Sequence, residues 1–204
     1  MARRQSCKRS NPPQIHVFAE GESEKLYLSC LQESIGVRGR KKLVIKSKKK
    51  QGCHLFNAVK KHYEKHDFTI SPVMIVLIVD KDDTPIADLI QLIDLCNRER
   101  YMLIYSNECF ELWLLLHNQK VTRSMNRADL RNALTKIHGQ KYDKTDKSLF
   151  EKIVQNYKIA LDNSTNFQNT LTANMLNVNP YTNMADAVKS IFNPSIPTYT
   201  TVGL

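Results

Sequence analysis

The chain has 204 residues, 42% of them hydrophobic and 25% charged, the make-up of a globular protein with one ordinary domain and room for a smaller lobe. Its formal net charge is +10. No apolar run approaches the roughly 18 residues of a membrane helix, and the basic start "MARRQSCKRSNPPQ" lacks the apolar core of a secretory signal, so a cytoplasmic protein with no membrane segment is expected.

The first 14 residues read as a basic tail. "QIHVFAEG" then alternates into a strand over Ile15 to Ala19, and a helix follows from about Ser23 to Glu33. "KLVIKS" is a second short strand. In "HLFNAVKKHYEKH" the apolar residues Leu55, Phe56, Val59 and Tyr63 recur at helical spacing. "VMIVLIV" is an unbroken apolar run rich in β-branched residues, which is how a central parallel strand reads when helices cover both its faces. Thr84-Pro85 opens another helix, "YMLIYS" is the next strand and "NECFELWLLLHN" the next helix. Strand and helix alternate four times, which predicts an α/β layered domain over residues 15–120 with right-handed crossovers. From residue 121 onward "NRADLRNALTKIHG", "KSLFEKIVQNYKIALDN" and "TNMADAVKSIF" read as helices, with Gly139 as the stop of the first, so 121–204 is expected to form a helical lobe.

The five cysteines (Cys7, Cys30, Cys53, Cys96, Cys109) never fall in C-x-x-C spacing, which argues for reduced thiols rather than a zinc ribbon or a disulfide frame. There is no G-x-G-x-x-G or P-loop signature, which removes the common nucleotide-binding folds. Basic residues crowd the start. Residues 1–50 hold thirteen Lys or Arg against four acids, nearly the whole net charge. The densest part, Arg38, Arg40, Lys41, Lys42, Lys46, Lys48, Lys49 and Lys50, suits a polyanion whose phosphates release counterions on binding, which points to nucleic acid. A solvated basic loop that keeps the protein soluble is the plainer reading.

Acids, by contrast, sit where α/β sheets carry their sites, at the carboxyl ends of strands. "EGESE" (Glu20, Glu22, Glu24) follows the first strand and "DKDD" (Asp80, Asp82, Asp83) follows the apolar one. If these strands are neighbours, Glu20, Asp80 and Asp82 converge. Carboxylates gathered without a cation do not all stay ionised, and hard oxygen ligands with no nearby His or Cys suit Mg²⁺ or Mn²⁺. A basic protein with such a cation has the means for phosphodiester chemistry. Asp83 reads instead as a cap of the helix at Thr84 or Pro85, and Glu22 and Glu24 as complements to the positive end of the first helix. An EF-hand is excluded because Pro85 stands where that loop needs glycine.

Taken together, "FAEGESEKLYL", "VLIVDKDD", "YSNECFELWLLLHN" and "KYDKTDKSLFEKI" resemble the RloB-like family of bacterial defence and abortive-infection proteins, which is related to the Toprim domain. Family members usually carry proline after Ser-Asn where this chain has Glu108. The resemblance implies a compact parallel Toprim-like sheet holding Mg²⁺ and nucleolytic attack on DNA or RNA, transfer RNA among the candidates, during phage infection. It implies Glu20 as general acid/base or ligand, Asp80 and Asp82 as metal ligands, and Glu24 as support for a second metal. It also implies an ATPase partner and admits a homo-oligomer. Asp83, Glu111 and His117 are candidates for supporting positions around the site, with a structural salt bridge and a plain packed histidine as the alternatives for the last two. Lys144 is within the set that could reach a phosphate oxygen. Two other functions stay open. One is a non-catalytic nucleic-acid-binding subunit of an ATPase-containing complex. The other is a phosphatase, because "DKDDT" also fits the D-x-D-x-T motif of haloacid-dehalogenase-like enzymes.

Overall fold

The computed structural model describes residues 14–35, 42–68, 73–167 and 171–192. The elements follow the alternation read above: β1 (Gln14–Ala19), α1 (Glu22–Ile35), β2 (Lys42–Ser47), α2 (Gly52–Tyr63), β3 (Val73–Asp80), α3 (Ile86–Glu99), β4 (Met102–Asn107) and α4 (Glu111–Leu116). Then come α5 (Arg127–His138), α6 (Lys147–Ile153), α7 (Tyr157–Asn163), β5 (Tyr181–Thr182) and α8 (Met184–Phe192). The sheet has the order β2-β1-β3-β4-β5, and every pair is parallel except β4 with β5. This is an α/β protein with a mostly parallel sheet flanked by helices, consistent with a Toprim-like arrangement.

Side chains along each strand alternate between two apolar layers, as the pleat requires. Ile15, Val17, Val76, Ile78 and Ile104 pack with α1 and with the helices from α4 onward. Phe18, Ile75, Leu77, Val79 and Tyr105 pack with α2 and α3. Five consecutive residues of β3, Ile75 to Val79, are buried, which is why that strand reads as an unbroken apolar run. No helix among the described residues is long and apolar enough to cross a membrane.

Three expectations change in detail. The helix after "DKDD" begins at Ile86 with Pro85 as its cap residue, and no side chain caps it. Asp83 therefore does not have the capping role read for it; its carboxylate is exposed and paired with Arg127. The stretch 147–163 is not one helix. Asn156, at φ −97° and ψ 18°, leaves the helical region after a 3-10 turn and separates α6 from α7. Asparagine does this readily because its side chain competes for local backbone bonds. The segment from 121 onward is not helical throughout either: Tyr181–Thr182 add a strand, and Leu130, Leu134, Leu149 and Phe150 share one apolar layer with the sheet. Gly139 does stop α5, in the left-handed region at φ 67°.

Candidate active-site cleft

Parallel pairing aligns the carboxyl ends of β1 and β3, with Ala19 opposite Ile78, so the residues that follow each strand emerge side by side. Glu20, Glu24, Asp80, Asp82 and Glu111 all line one cleft of about 690 Å³ at this edge. The two acidic clusters thus meet, as expected if their strands are neighbours, and the helix after β4 adds Glu111 to them.

Each carboxylate has a distinct setting. Glu20 accepts hydrogen bonds from the backbone N–H of Gly52 (2.7 Å) and of Asp80 (3.4 Å), so it ties the start of α2 to the end of β3. Burial outweighs these bonds and lifts its pKa from 4.5 to about 7, with the negative charges of Glu24 and Asp82 adding to the rise. Glu24 is almost fully buried and is also raised to about 7, by burial first and then, among its charged neighbours, by Glu111. Gly21 lets it sit there: a Cβ on residue 21 would lie 2.7 Å from Glu24 Oε2. Asp80 is pushed well above the usual carboxylate range by burial, followed by Glu24, Asp82, Glu111 and Glu20, all negative. Its Oδ1 is buried without a hydrogen-bond partner. Asp82 occupies the left-handed region at φ 38°, a conformation that non-glycine residues hold only when their surroundings impose it. Burial raises its pKa also, against the pull of Arg127.

The lysine inside "DKDD" does not neutralise these acids. Lys81 Nζ turns to the carbonyl oxygens of Thr84 (3.2 Å) and Asp82 (3.5 Å). Two arginines from α5 do so instead. Arg127 Nε lies 3.1 Å from Asp82 Oδ1 and its Nη2 lies 3.1 Å from Asp83 Oδ2. Arg131 Nε lies 3.3 Å from Glu111 Oε1. A capping box fixes the start of α5: Asn126 accepts from Asp129 N, and Asp129 accepts from Asn126 N. Arg127 is thereby the first residue of the helix, and Arg131 stands one turn later on the same face. Neither arginine was among the site residues expected from sequence. Their spacing of four behind an Asn cap is a signal in "NRADLRN", but nothing local says that their acids lie tens of residues away.

The expected basic patch divides. Lys49 and Lys50 line the cleft beside His54, and Lys144 lines it from the α5–α6 connection. Lys46 and Lys48 do not line it; their ammonium groups stand 6.0 and 5.8 Å from the centre of the Phe18 ring on the α2 side. Arg38, Arg40 and Lys41 lie outside the described residues, as does the side chain of Lys42. His117 is not at the cleft. It is fully buried, between Tyr27 Oη at 3.1 Å and the Trp113 carbonyl at 2.9 Å, and burial lowers its pKa to about 4, so it is a packed core histidine.

Whether these residues fit a divalent cation can be judged from the donors. Six carboxylates line the cleft, Glu22 among them, and two of these, Asp80 and Asp82, have a buried Oδ1 that accepts no hydrogen bond; together they form a hard-oxygen set of the type Mg²⁺ and Mn²⁺ take. The set is not gathered to a point. Among the described residues no three His, Cys, Asp or Glu side chains stand together as a ready ligand group. Their oxygens are turned to protein donors: Glu20 to Gly52 and Asp80 N–H, Asp82 to Arg127, Glu111 to Arg131. The chemistry fits a hard cation, and its entry requires some of these side chains to swing.

Comparison with curated proteins and with solved structures gives no significant match. A family model does match, that of RloB-like protein, over residues 15–191, which takes in every element from β1 to nearly the end of α8. The chain belongs to the RloB-like family.

Proposed function

We propose that this protein is a Mg²⁺- or Mn²⁺-dependent nuclease that hydrolyses phosphodiester bonds of DNA or RNA in bacterial anti-phage defence. The observation that carries the reading is the unsatisfied Asp80 Oδ1 among the six carboxylates of a cleft also lined by Lys49, Lys50, Arg127, Arg131 and Lys144. The acids call for a cation, and the bases call for a polyanion. Asp80 and Asp82 would hold the cation, with Glu20 and Glu24 as further oxygen donors. A bound divalent ion supplies an acidified water and offsets charge on the phosphate. Where Glu20 does not ligate the cation, its position at the cleft, tied to the Gly52 and Asp80 N–H groups, suits it to take a proton from the attacking water and return one to the leaving oxygen as the phosphorus–oxygen bond breaks. The basic side chains of the cleft would seat the strand, and Glu111 would orient Arg131.

The test is calorimetric Mn²⁺ binding and cleavage of single- and double-stranded nucleic acids by wild type and Asp80→Ala/Asp82→Ala. The variant should lose both while keeping its circular dichroism spectrum. Undiminished cleavage by the variant defeats the reading. One observation favours a second reading, a nucleic-acid-binding subunit that works with an ATPase. Glu20 already serves as a backbone tie between α2 and β3, and no ligand trio stands assembled among the described residues. That reading predicts salt-dependent binding of nucleic acid by both proteins with no metal-dependent turnover.

A further inference from the structure

Arg127 and Arg131 hold their acids in a way that neither stability nor capping explains. Arg127 bridges two carboxylates from a guanidinium that is about one third exposed (36%), and Asp83, one of the two, is 96% exposed. Pairs this open contribute little to folding. Arg131 is also exposed, yet it meets the nearly buried Glu111. Both arginines line the cleft, both come from one face of α5, and both point at the carboxylates that surround the orphaned Asp80 Oδ1. Each guanidinium carries the planar fork of donors that takes phosphate oxygens, and the two stand one helical turn apart.

We propose that Arg127 and Arg131 form a phosphate-binding site for the nucleic-acid backbone, and that in the unloaded protein they serve as resident counter-cations on Asp82, Asp83 and Glu111. This rests on the metal-dependent reading above. A divalent cation entering at Asp80 and Asp82 competes with Arg127 for Asp82 and frees its guanidinium. Arg127, so freed, then faces the cleft one turn from Arg131, where Lys49, Lys50 and Lys144 already stand. The acids are thus kept neutralised without a metal, and the phosphate seat becomes available once the metal has replaced the arginine.

This arrangement has a signature that a merely structural arginine lacks: removing Arg127 should improve metal binding while harming substrate binding. The experiment uses the full chain as wild type, Arg127→Gln, Arg131→Gln and Asp80→Ala/Asp82→Ala. Mn²⁺ affinity is read by calorimetry. Affinity for a cleavage-resistant phosphorothioate oligonucleotide is read by fluorescence anisotropy across salt concentrations with Mn²⁺ present. Arg127→Gln should bind Mn²⁺ more tightly, by up to about fivefold, the upper range for an exposed ion pair. Each arginine variant should bind the oligonucleotide more weakly, with the salt slope reduced by roughly 0.7 per lost contact on a single strand. Arg131→Gln, which leaves Asp82 untouched, serves as the second variant should Arg127→Gln unfold. Mn²⁺ binding that is unchanged or weaker in Arg127→Gln, with wild type binding intact, overturns the counter-cation role and leaves the metal reading standing. Unchanged oligonucleotide affinity and salt slope in both arginine variants overturns the phosphate site. If wild type binds Mn²⁺ no better than Asp80→Ala/Asp82→Ala, the metal reading fails and this inference fails with it.

Discussion

Asp80 gathers the electrostatics of the cleft onto one side chain, since four other carboxylates bear on it and Oδ1 has no donor. The consequence for pH follows from its neighbours. Glu20 and Glu24 titrate at about 7 in the fold against 4.5 when unperturbed. Between those values the folded chain holds more protons than the unfolded one, so stability falls as pH rises from about 4.5 to about 7 and levels off above. Thermal melts of metal-free protein should therefore give a higher Tm at pH 5 than at pH 8 from these groups. Mn²⁺ should narrow the difference, and Glu24→Gln should flatten it. Gly21 belongs to the same scale. Gly21→Ala places a methyl 2.7 Å from Glu24 Oε2, so that carboxylate must shift from its place in the cleft lining. The expected loss is about 1–3 kcal/mol, the usual cost of overpacking, measurable by urea denaturation. At this scale Glu20, Asp80 and Asp82 were legible because strand ends are where acids carry information. Arg127 and Arg131 were not, because each is defined by a partner that only the fold brings near. For His117 the sequence left a supporting role and a plain packed histidine open, and the fold makes it the second.

Among the elements, those with strong periodicity or unbroken apolar runs, β1 to α4, were legible to within a few residues. β5 was not. Two residues carry no period, and Tyr181–Thr182 become a strand only by facing Asn107 and Ser106. What secures that margin is largely asparagine acting as surrogate backbone. Asn183 Oδ1 accepts from Tyr105 N at 2.7 Å and its Nδ2 donates to the Leu103 carbonyl at 3.0 Å. Asn107 Nδ2 donates to the carbonyls of Leu176 and Val178, and Asn179 bonds both the N–H and the carbonyl of Met125. Asn183→Ala strands the buried Tyr105 N–H and should cost about 1–3 kcal/mol, the desolvation penalty of an unsatisfied group. A shift of the denaturation midpoint smaller than that of a surface control such as Asn57→Ala would show that the amide is dispensable.

For the molecule as a whole, the site is composite. Its acids come from the first 111 residues, while Arg127, Arg131 and Lys144 come from the part expected as a smaller helical lobe. The parallel core and its flanking helices could be read from alternation. That α5 brings two arginines to the cleft could not, because it reaches that place by tertiary packing against α4, and no local pattern announces it. The concentration of charge in the first fifty residues was legible as number but not as place: Lys49 and Lys50 face the cleft, and Lys46 and Lys48 lie over Phe18.

The sheet's two margins also limit how a second copy could attach. One margin is a two-residue strand, with the next backbone positions of β4 already bonded by the Asn183 side chain. Among the described residues the other is β2, "KLVIKS", with Lys46 at its fifth position. Short strands and lysine on an edge both discourage one chain from extending the ladder of another. Self-association of this protein would thus proceed through helix surfaces rather than by joining sheets, and a dimer, where one forms, should leave the amide-exchange protection of β2 and β5 unaltered.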